Sequence, residues 1–528
     1  MFSQNIAKVL TKLLVQLEQK PTTVFIVTLL ILFYYLRFDQ YISLRPISDH
    51  TWAQCDRASV ARNYAQESMN FFLPRVNYTA GKTGISGLEF PAVNYFVAIL
   101  YKLFGFNEFF YRATMLSLIS GGLIAMMHIL NQLLKNTLLS ALLVICVYIS
   151  PALTYYSPNF LPDAAGLGLI LISWYYFFRS IKVPSTNYFV LFGITGALAC
   201  LIKITFLISI VTIISVSIIN LIMRSEKRFF PFHHSTKFII ISILISFLTF
   251  GWYIYAKYLN ETYQSWIFLM AMKPPQSYHE LIFDLKLIWF RYSNIYHTTG
   301  FYIISSVSFL LMMLNLRHTN KLLLAILIFL YLGTASFAIL MVRQFTNHEY
   351  YIIALFPVFF FQLLVSAEAI KKYHKRKLIQ HTLIVVVLAT VVTSAITTRK
   401  FLKERFSIAG AVNSGTDSYL VYHDIEPYLR SLGIRYDQEV LSYFDYSPNV
   451  TLYLMNQKGW TIPLGKNESS LEAVLKMKAD YIIFDERYSS VTTLPEYIKN
   501  QKIGQFKSIA IYWKSDTAKY KTQPPDHQ

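Results

Sequence analysis

Residues 204–223 read ITFLISIVTIISVSIINLIM, twenty positions without one charged side chain. Such a run crosses roughly 30 Å of hydrocarbon as a helix, and a helix satisfies its own backbone hydrogen bonds where water is absent. Working outward, similar apolar blocks fall at residues 22–36, 109–134, 138–155, 164–178, 187–202, 238–258, 301–314, 322–341, 351–365 and 382–397. The expectation is an α-helical polytopic membrane protein with about eleven transmembrane helices. Composition agrees, because 54% of the 528 residues are hydrophobic and only 15% charged, against about 25% charged in ordinary soluble proteins. The block at 91–105 is short and carries Asn94 and Lys102, which suits an interfacial helix better than a span.

The net charge of +19 suggests at first a nucleic-acid or anionic-lipid binder. Its distribution argues otherwise. The first block follows Lys8, Lys12 and Lys20 and lacks a small-residue cleavage site, so it reads as an uncleaved signal anchor with a cytoplasmic amino terminus. On that topology the inward loops hold 17 Lys and Arg against 3 Asp and Glu, including Lys371, Lys372, Lys375, Arg376 and Lys377. Most of the excess is therefore orientation signal, and no nucleic acid is implied. An odd number of spans puts residues 398–528 outside with the first long loop. This tail, with strand candidates at 440–444, 481–484 and 509–513 and helix candidates at 418–432 and 470–478, reads as a small extracytoplasmic α/β domain. The expected division is 1–397 for the membrane domain, with its outward loop 38–108, and 398–528 for the soluble domain. Cys55, Cys146 and Cys200 have no metal spacing, and the sequons at Asn77, Asn260, Asn449 and Asn467 carry no functional weight.

A loop of residues 38–108 is too long for a plain connector. It contains Ser48-Asp49-His50-Thr51-Trp52, a helical stretch to about Met69, Gly81-Lys82-Thr83-Gly84 and Leu88-Glu89-Phe90-Pro91. The plain reading of Asp49 is an N-cap, and that of Asp56 a solvated partner of Arg57 or Arg62. Were Asp49 on the helix, the two carboxylates, seven residues apart, would share a face. The Gly-Lys-Thr string lacks the upstream glycine and strand of a phosphate loop. Polar groups gather at the same outer border elsewhere: Asp163 after Pro162, Lys203 between two apolar runs, Arg343 with Asn347-His348-Glu349-Tyr350-Tyr351, and the loop 260–300 with Lys273, His279, Glu280, Arg291 and His297. Asp163 is plainly read as a helix-start carboxylate and Lys203 as a snorkelling lysine. Their convergence on one face is what a phosphate-bearing lipid substrate requires, cations for phosphate and a carboxylate for proton transfer.

The succession of Ser48-Asp49-His50-Thr51-Trp52, Glu89-Phe90-Pro91, Phe104-Gly105, Arg112, Pro162-Asp163, Gly196 to Lys203, and His348-Glu349-Tyr350-Tyr351 before Pro357 resembles the C-type glycosyltransferases, which use polyprenyl-phosphate sugars. Within them it is similar to the protein mannosyltransferase and aminoarabinose transferase group, over residues 20–400. The resemblance implies that Asp49 is the base or acceptor-site carboxylate and Asp163 a second acid facing the same cavity. Glu89 stands where the aminoarabinose transferases have a metal-ligating glutamate followed by a phosphate-holding lysine, here replaced by Phe90. Lys82 or Lys203 then supplies the cation for phosphate, with Arg343, His348 and Tyr350 lining the donor pocket. A divalent metal ion would take Glu89 with His279 or His297, and no nucleotide cofactor is expected.

The expected function is transfer of a sugar, with inversion, from a polyprenyl-phosphate-linked donor embedded in membrane lipid to an acceptor of the cell envelope. The expected place is the outer face of a bacterial cytoplasmic (inner) membrane. A ligase or polymerase of lipid-linked oligosaccharides would rely on outward arginines and histidines for diphosphate, and the Asp49 and Asp163 pattern argues against it. A transporter would show internal repeats and ionisable groups at midplane, and neither is evident in the sequence. A sensor with an outer binding domain is the remaining reading, for which the tail alone shows no site.

Overall fold

A computed structural model describes residues 20–80, 82–183, 185–269, 272–369, 377–463, 477–489 and 494–514. In chain order its principal helices are α1 Pro21–Tyr35, α2 Thr51–Gln66, α3 Ala92–Phe104, α4 Glu108–Leu134, α5 Thr137–Tyr148, α6 Asp163–Lys182, α7 Thr186–Ile202, α8 Leu207–Ile222, α9 Phe232–Thr262, α10 Tyr278–Tyr296, α11 Thr299–Leu314, α12 Lys321–Leu340, α13 Phe356–Ala369, α14 Lys377–Arg405, α15 Glu426–Ser431 and α16 Val450–Met455. The strands are β1 Glu439–Tyr443, β2 Lys458–Ile462, β3 Tyr481–Asp485, β4 Lys502–Phe506 and β5 Ile509–Trp513.

Each of the eleven apolar blocks is helical. Among the described residues seven helices are long and apolar enough to cross a membrane, and α10 with α11, bent by 102°, make an eighth if they form one span. The blocks at 22–36, 138–155 and 187–202 form shorter apolar helices. The middle one is cut by Pro151, which has no N–H to continue a ladder and starts a separate helix, Pro151–Tyr156, capped by the Ser150 hydroxyl.

The chain forms two compact units. Unit 1 comprises residues 1–43, 111–254 and 270–404, and unit 2 comprises 44–110, 255–269 and 405–528. In unit 1 the crossing of α4 and α6 is built on small residues: a Cβ at Gly122 would stand 2.5 Å from the Gly168 backbone, the close approach membrane helices use in place of a hydrophobic drive.

Unit 2 differs from the expected division, since the first long loop belongs with the tail. The reason is backbone pairing. Residues 77–80 run along β2, with Thr79 N donating to Gly459 O at 3.0 Å and Gly459 N to Asn77 O at 3.3 Å. Lys458 is buried and ion-paired to Glu67. The sheet has the order β2-β1-β3-β5-β4. β1 is parallel to β2 and β3, while β5 is antiparallel to β3 and β4. Its core is Leu441, Tyr443, Ile482, Phe484, Ala510 and Tyr512. A second cluster, Val60, Tyr64, Val76, Leu88, Ala98, Ile267 and Phe268, joins α2 to α3 and the 255–269 segment. One face of α3 is thereby buried, while Phe96, Leu103 and Phe104 on it stay exposed, the two-faced pattern of an amphipathic helix.

The three strand candidates are β1, β3 and β5. The candidate helix at 418–432 is a 3-10 turn, Asp417–Asp424, followed by α15. The candidate at 470–478 falls mostly, and Lys8, Lys12, Gly81, the basic run 371–376 and Asn467 wholly, outside the described residues.

Candidate active site

In unit 1 several of the polar residues at the ends of the apolar spans surround a buried ion pair. Asp163 opens α6, where unpaired N–H groups and the helix dipole favour a carboxylate, and is 1% exposed. Lys203 ends α7 in extended conformation before the 3-10 turn Ile204–Phe206. Its Nζ lies 3.1 Å from Asp163 Oδ1. The snorkelling reading is thus corrected: Lys203 turns inward, where the buried Asp163 carboxylate compensates part of its desolvation. Gly166 makes room for this approach, since a Cβ there would press on the Phe206 ring at 2.4 Å and reach Lys203 Cβ at 3.5 Å.

The Asp163 turn is itself held. Arg112, fully buried, donates to Pro158 O at 2.8 Å and lies over the Phe160 ring, and Asn159 Oδ1 accepts from Phe160 N at 2.7 Å. Around the pair, Lys203 Nζ sits 5.7 and 5.4 Å from the Tyr350 and Tyr351 ring centroids, within cation–π range. Tyr350 is buried beside His348, their centroids 5.5 Å apart. Glu349, 3% exposed, accepts from Tyr156 Oη at 2.9 Å. Arg343 is ion-paired to Glu280, and α10 pins the same turn through Arg291, which donates to Thr346 O at 2.9 Å. Of the residues that the sequence placed at this border, the structure brings Asp163, Lys203, Tyr350 and His348 together. Sequence reasoning missed Tyr156, hidden in an aromatic run, and gave no role to Glu349, an acid at the head of an otherwise apolar span.

In unit 2 Asp49 is ion-paired to Arg405 and accepts from Ser48 Oγ at 3.2 Å. It is not the N-cap. That position is His50, with no side-chain cap bond, so the shared-face arrangement with Asp56 also lapses. Ser48 and His50 both have positive φ, 64° and 54°. Two non-glycine residues in the left-handed region within three positions is strain of the kind found where a chain must aim a functional group. Arg405 went unnoticed because it looks like any basic residue after a span. Asp56 is also corrected: it is buried rather than solvated, and burial pushes its carboxyl up to about 8, with Arg57 and Asn449 acting the other way. Arg57 and Arg62 pair instead with Glu89 and Glu426, each at 2.8 Å.

The metal reading meets a donor-set problem. Glu89 Oε1 is taken by Arg57, and Phe90, in the lysine's place, packs on Phe71 with centroids 5.0 Å apart. His279 is exposed on the first turn of α10. His297 is 1% exposed, with Nε2 3.2 Å from Val147 O and Nδ1 accepting from Thr298 N at 2.9 Å, so neither nitrogen is left for a metal. Among the described residues no three His, Cys, Asp or Glu side chains converge. As placed, Glu89, His279 and His297 do not fit a resident ion. Lys82 lies in unit 2, exposed, with Nζ 2.5 Å from Gln264 Oε1. The Asn77 and Asn449 amides are buried and hydrogen-bonded, Asn77 to Gln457 O and Asn449 to Ser59 Oγ.

Residues 89–253 match the dolichyl-phosphate-mannose-protein mannosyltransferase family. No curated protein is close enough in sequence to match. Among solved structures, ArnT from Cupriavidus metallidurans superposes at a TM-score of 0.59 with 10% identity in the apo state, over 93% of this chain and 97% of that one. Its structure bound to undecaprenyl phosphate gives 0.59 and 11%, over 94% and 98%. The Archaeoglobus fulgidus oligosaccharyltransferase, in complex with Zn and sulfate, gives 0.53 and 13%, over 88% and 68%. The chain is a multi-pass membrane protein with the ArnT fold over nearly its whole length and the mannosyltransferase family pattern over residues 89–253, which bears out its resemblance to the C-type glycosyltransferases.

Proposed function

We propose that the protein is an integral-membrane glycosyltransferase that moves a sugar from a polyprenyl phosphate to an acceptor on the outer face of the cytoplasmic membrane. The observation that carries this reading is the buried Asp163–Lys203 pair flanked by the Tyr350 and Tyr351 rings, in a chain with this fold. A structure of similar fold holds undecaprenyl phosphate, which supports a donor of that class.

Of the two lysines that sequence reasoning left open, Lys203 suits the donor phosphate. It is desolvated, so its charge acts at low dielectric, and the Tyr350 and Tyr351 hydroxyls add donors for phosphate oxygens. Arg343 is the second cation, held by Glu280 until an anion competes for it. Asp49 serves the acceptor: it takes the hydroxyl proton as that oxygen attacks the anomeric carbon. The bond from that carbon to the phosphate oxygen breaks, its electron pair leaves with the polyprenyl phosphate, and configuration inverts. A lipid phosphate is a good leaving group, so positioning and charge stabilisation are the protein's main tasks.

The test is transfer from a labelled polyprenyl-phosphate sugar by purified wild type and Asp49→Asn. Loss of roughly 10²–10⁴-fold in turnover is expected for a removed general base. Unchanged turnover by the variant rejects the role given to Asp49.

A further inference from the structure

Unit 2 contains a cavity of about 270 Å³ that the transfer reaction above does not use. It is lined by the turn around Lys82, by Tyr263, Gln264 and Trp266, and by Trp460 of β2. Tyr78 stands edge-on to both indoles, its centroid 6.2 Å from that of Trp266 and 6.5 Å from that of Trp460. Among the described lining residues the polar side chains are neutral or cationic: Lys82, Gln264, and the hydroxyls of Thr79, Ser86, Tyr263 and Ser265.

The walls are preformed. Asn260 clamps Gly87 by two hydrogen bonds, accepting from its N–H at 2.7 Å and donating to its carbonyl at 2.9 Å. Ser86 Oγ and Ser265 Oγ are 2.6 Å apart across the same seam. Gln264 is held at φ 54°, a conformation that a non-glycine side chain adopts only when its surroundings impose it. The Trp460 Nε1–H is buried and has no acceptor among the described residues, although most buried donors in folded proteins are paired. Trp266 is 63% exposed, an indole presented to solvent beside amide and hydroxyl groups.

We propose that this cavity binds one saccharide unit of the acceptor. A pyranose has apolar C–H faces that stack on indole and phenol rings, and a hydroxyl rim that pairs with an amide and an ammonium. Lys82 Nζ is hydrogen-bonded to Gln264 Oε1, and the remaining ammonium and amide N–H donors of this pair favour a hydroxylated ligand over an apolar one, while a nucleoside phosphate would need more than one cation. The volume lies near the small end of ligand pockets, roughly 300 Å³, which suits a single ring. Only the word acceptor rests on the transferase reading; saccharide binding does not.

The test uses the full chain in detergent with methyl β-glucoside, N-acetylglucosamine and glucuronate as probes, binding followed by saturation-transfer NMR. Saturable transfer to at least one probe is expected, weakened by about tenfold in Trp266→Ala, the equivalent of 1.4 kcal/mol, and also reduced in Gln264→Ala. Exposed Tyr446→Ala should bind as wild type. In the transfer assay Trp266→Ala should raise the acceptor KM with kcat unchanged. Absence of saturable binding up to probe solubility, binding unaltered by Trp266→Ala, or protection of the pocket by phospholipid rather than by sugar overturns the proposal. Sugar binding that persists in a protein inactive with every polyprenyl-phosphate donor would instead reject the transferase reading and leave the saccharide site standing.

Discussion

Lys203 and Asp163 are each nearly inaccessible, so each charge is tolerated only because of the other. Removing one partner strands a buried charge and costs about 3–5 kcal/mol. Lys203→Met and Asp163→Asn should each lower the thermal midpoint in detergent, and the double variant should recover much of the loss while remaining inactive. A double variant as unstable as the sum of the singles would contradict the pairing. Asp56 gives a pH signature in unit 2. Its folded-state carboxyl is raised to about 8 from 3.8, so from pH 4 to 8 the folded chain holds a proton the unfolded chain has lost, and stability falls as pH rises through that range. His423 works oppositely: burial first, then Arg45, depresses it from 6.5 to about 4, so its contribution is lost as pH falls below 6.5. Between pH 6.5 and 8 the Asp56 effect is therefore free of His423. Unit 2 should lose about 2 kcal/mol over that window, as urea unfolding of the full chain would read, and Asp56→Asn should flatten the slope. These roles were unreadable in sequence because burial, not residue type, decides them: Asp56 looked like any helix-surface acid, and Lys203 like any lysine at a membrane border.

At the scale of elements, the strands missed in the sequence are β2 and β4, the two edges of the sheet. Edge strands tolerate lysine and glycine, and Lys458-Gly459 and Lys502 with Gly504 blurred the alternation that made β1, β3 and β5 legible. Gly459 earns its place by geometry. It sits at φ 137°, and a Cβ there would stand 2.0 Å from Val440 O. Gly459→Ala should destabilise unit 2 by about 3 kcal/mol, the upper part of the overpacking range, because rigid backbone blocks relaxation. Since residues 77–80 pair along the same strand, limited proteolysis should cut that stretch first in the variant. Cleavage indistinguishable from wild type would contradict the docking. The spans were legible because eleven apolar runs outweigh any local ambiguity, whereas the short 138–155 block was misread in length at Pro151.

For the whole molecule, we propose from the eleven apolar blocks of the sequence and the basic bias of alternate loops that the carboxyl terminus lies outside. A reporter enzyme that folds only outside the cytoplasm should be active when fused after Gln528 and inactive when inserted near Lys135, and the reverse would invert the topology. The association of the first long loop with the tail was invisible to sequence reasoning because it depends on pairings across more than 370 residues, such as Asn77 with Asn449. The candidate charges were more visible than their partners. Asp49, Asp163 and Lys203 stood out as charges at apolar borders, while Arg405, Tyr156 and Glu349 became meaningful only through their partners. The most direct test of the transferase reading is consumption of a labelled polyprenyl-phosphate sugar by purified protein, with a nucleotide sugar in parallel. Wild type should release polyprenyl phosphate from the lipid donor and leave the nucleotide sugar intact, and Lys203→Met should fail to do so. Consumption of the nucleotide sugar alone, or lipid-donor turnover unaffected by loss of Lys203, would contradict it.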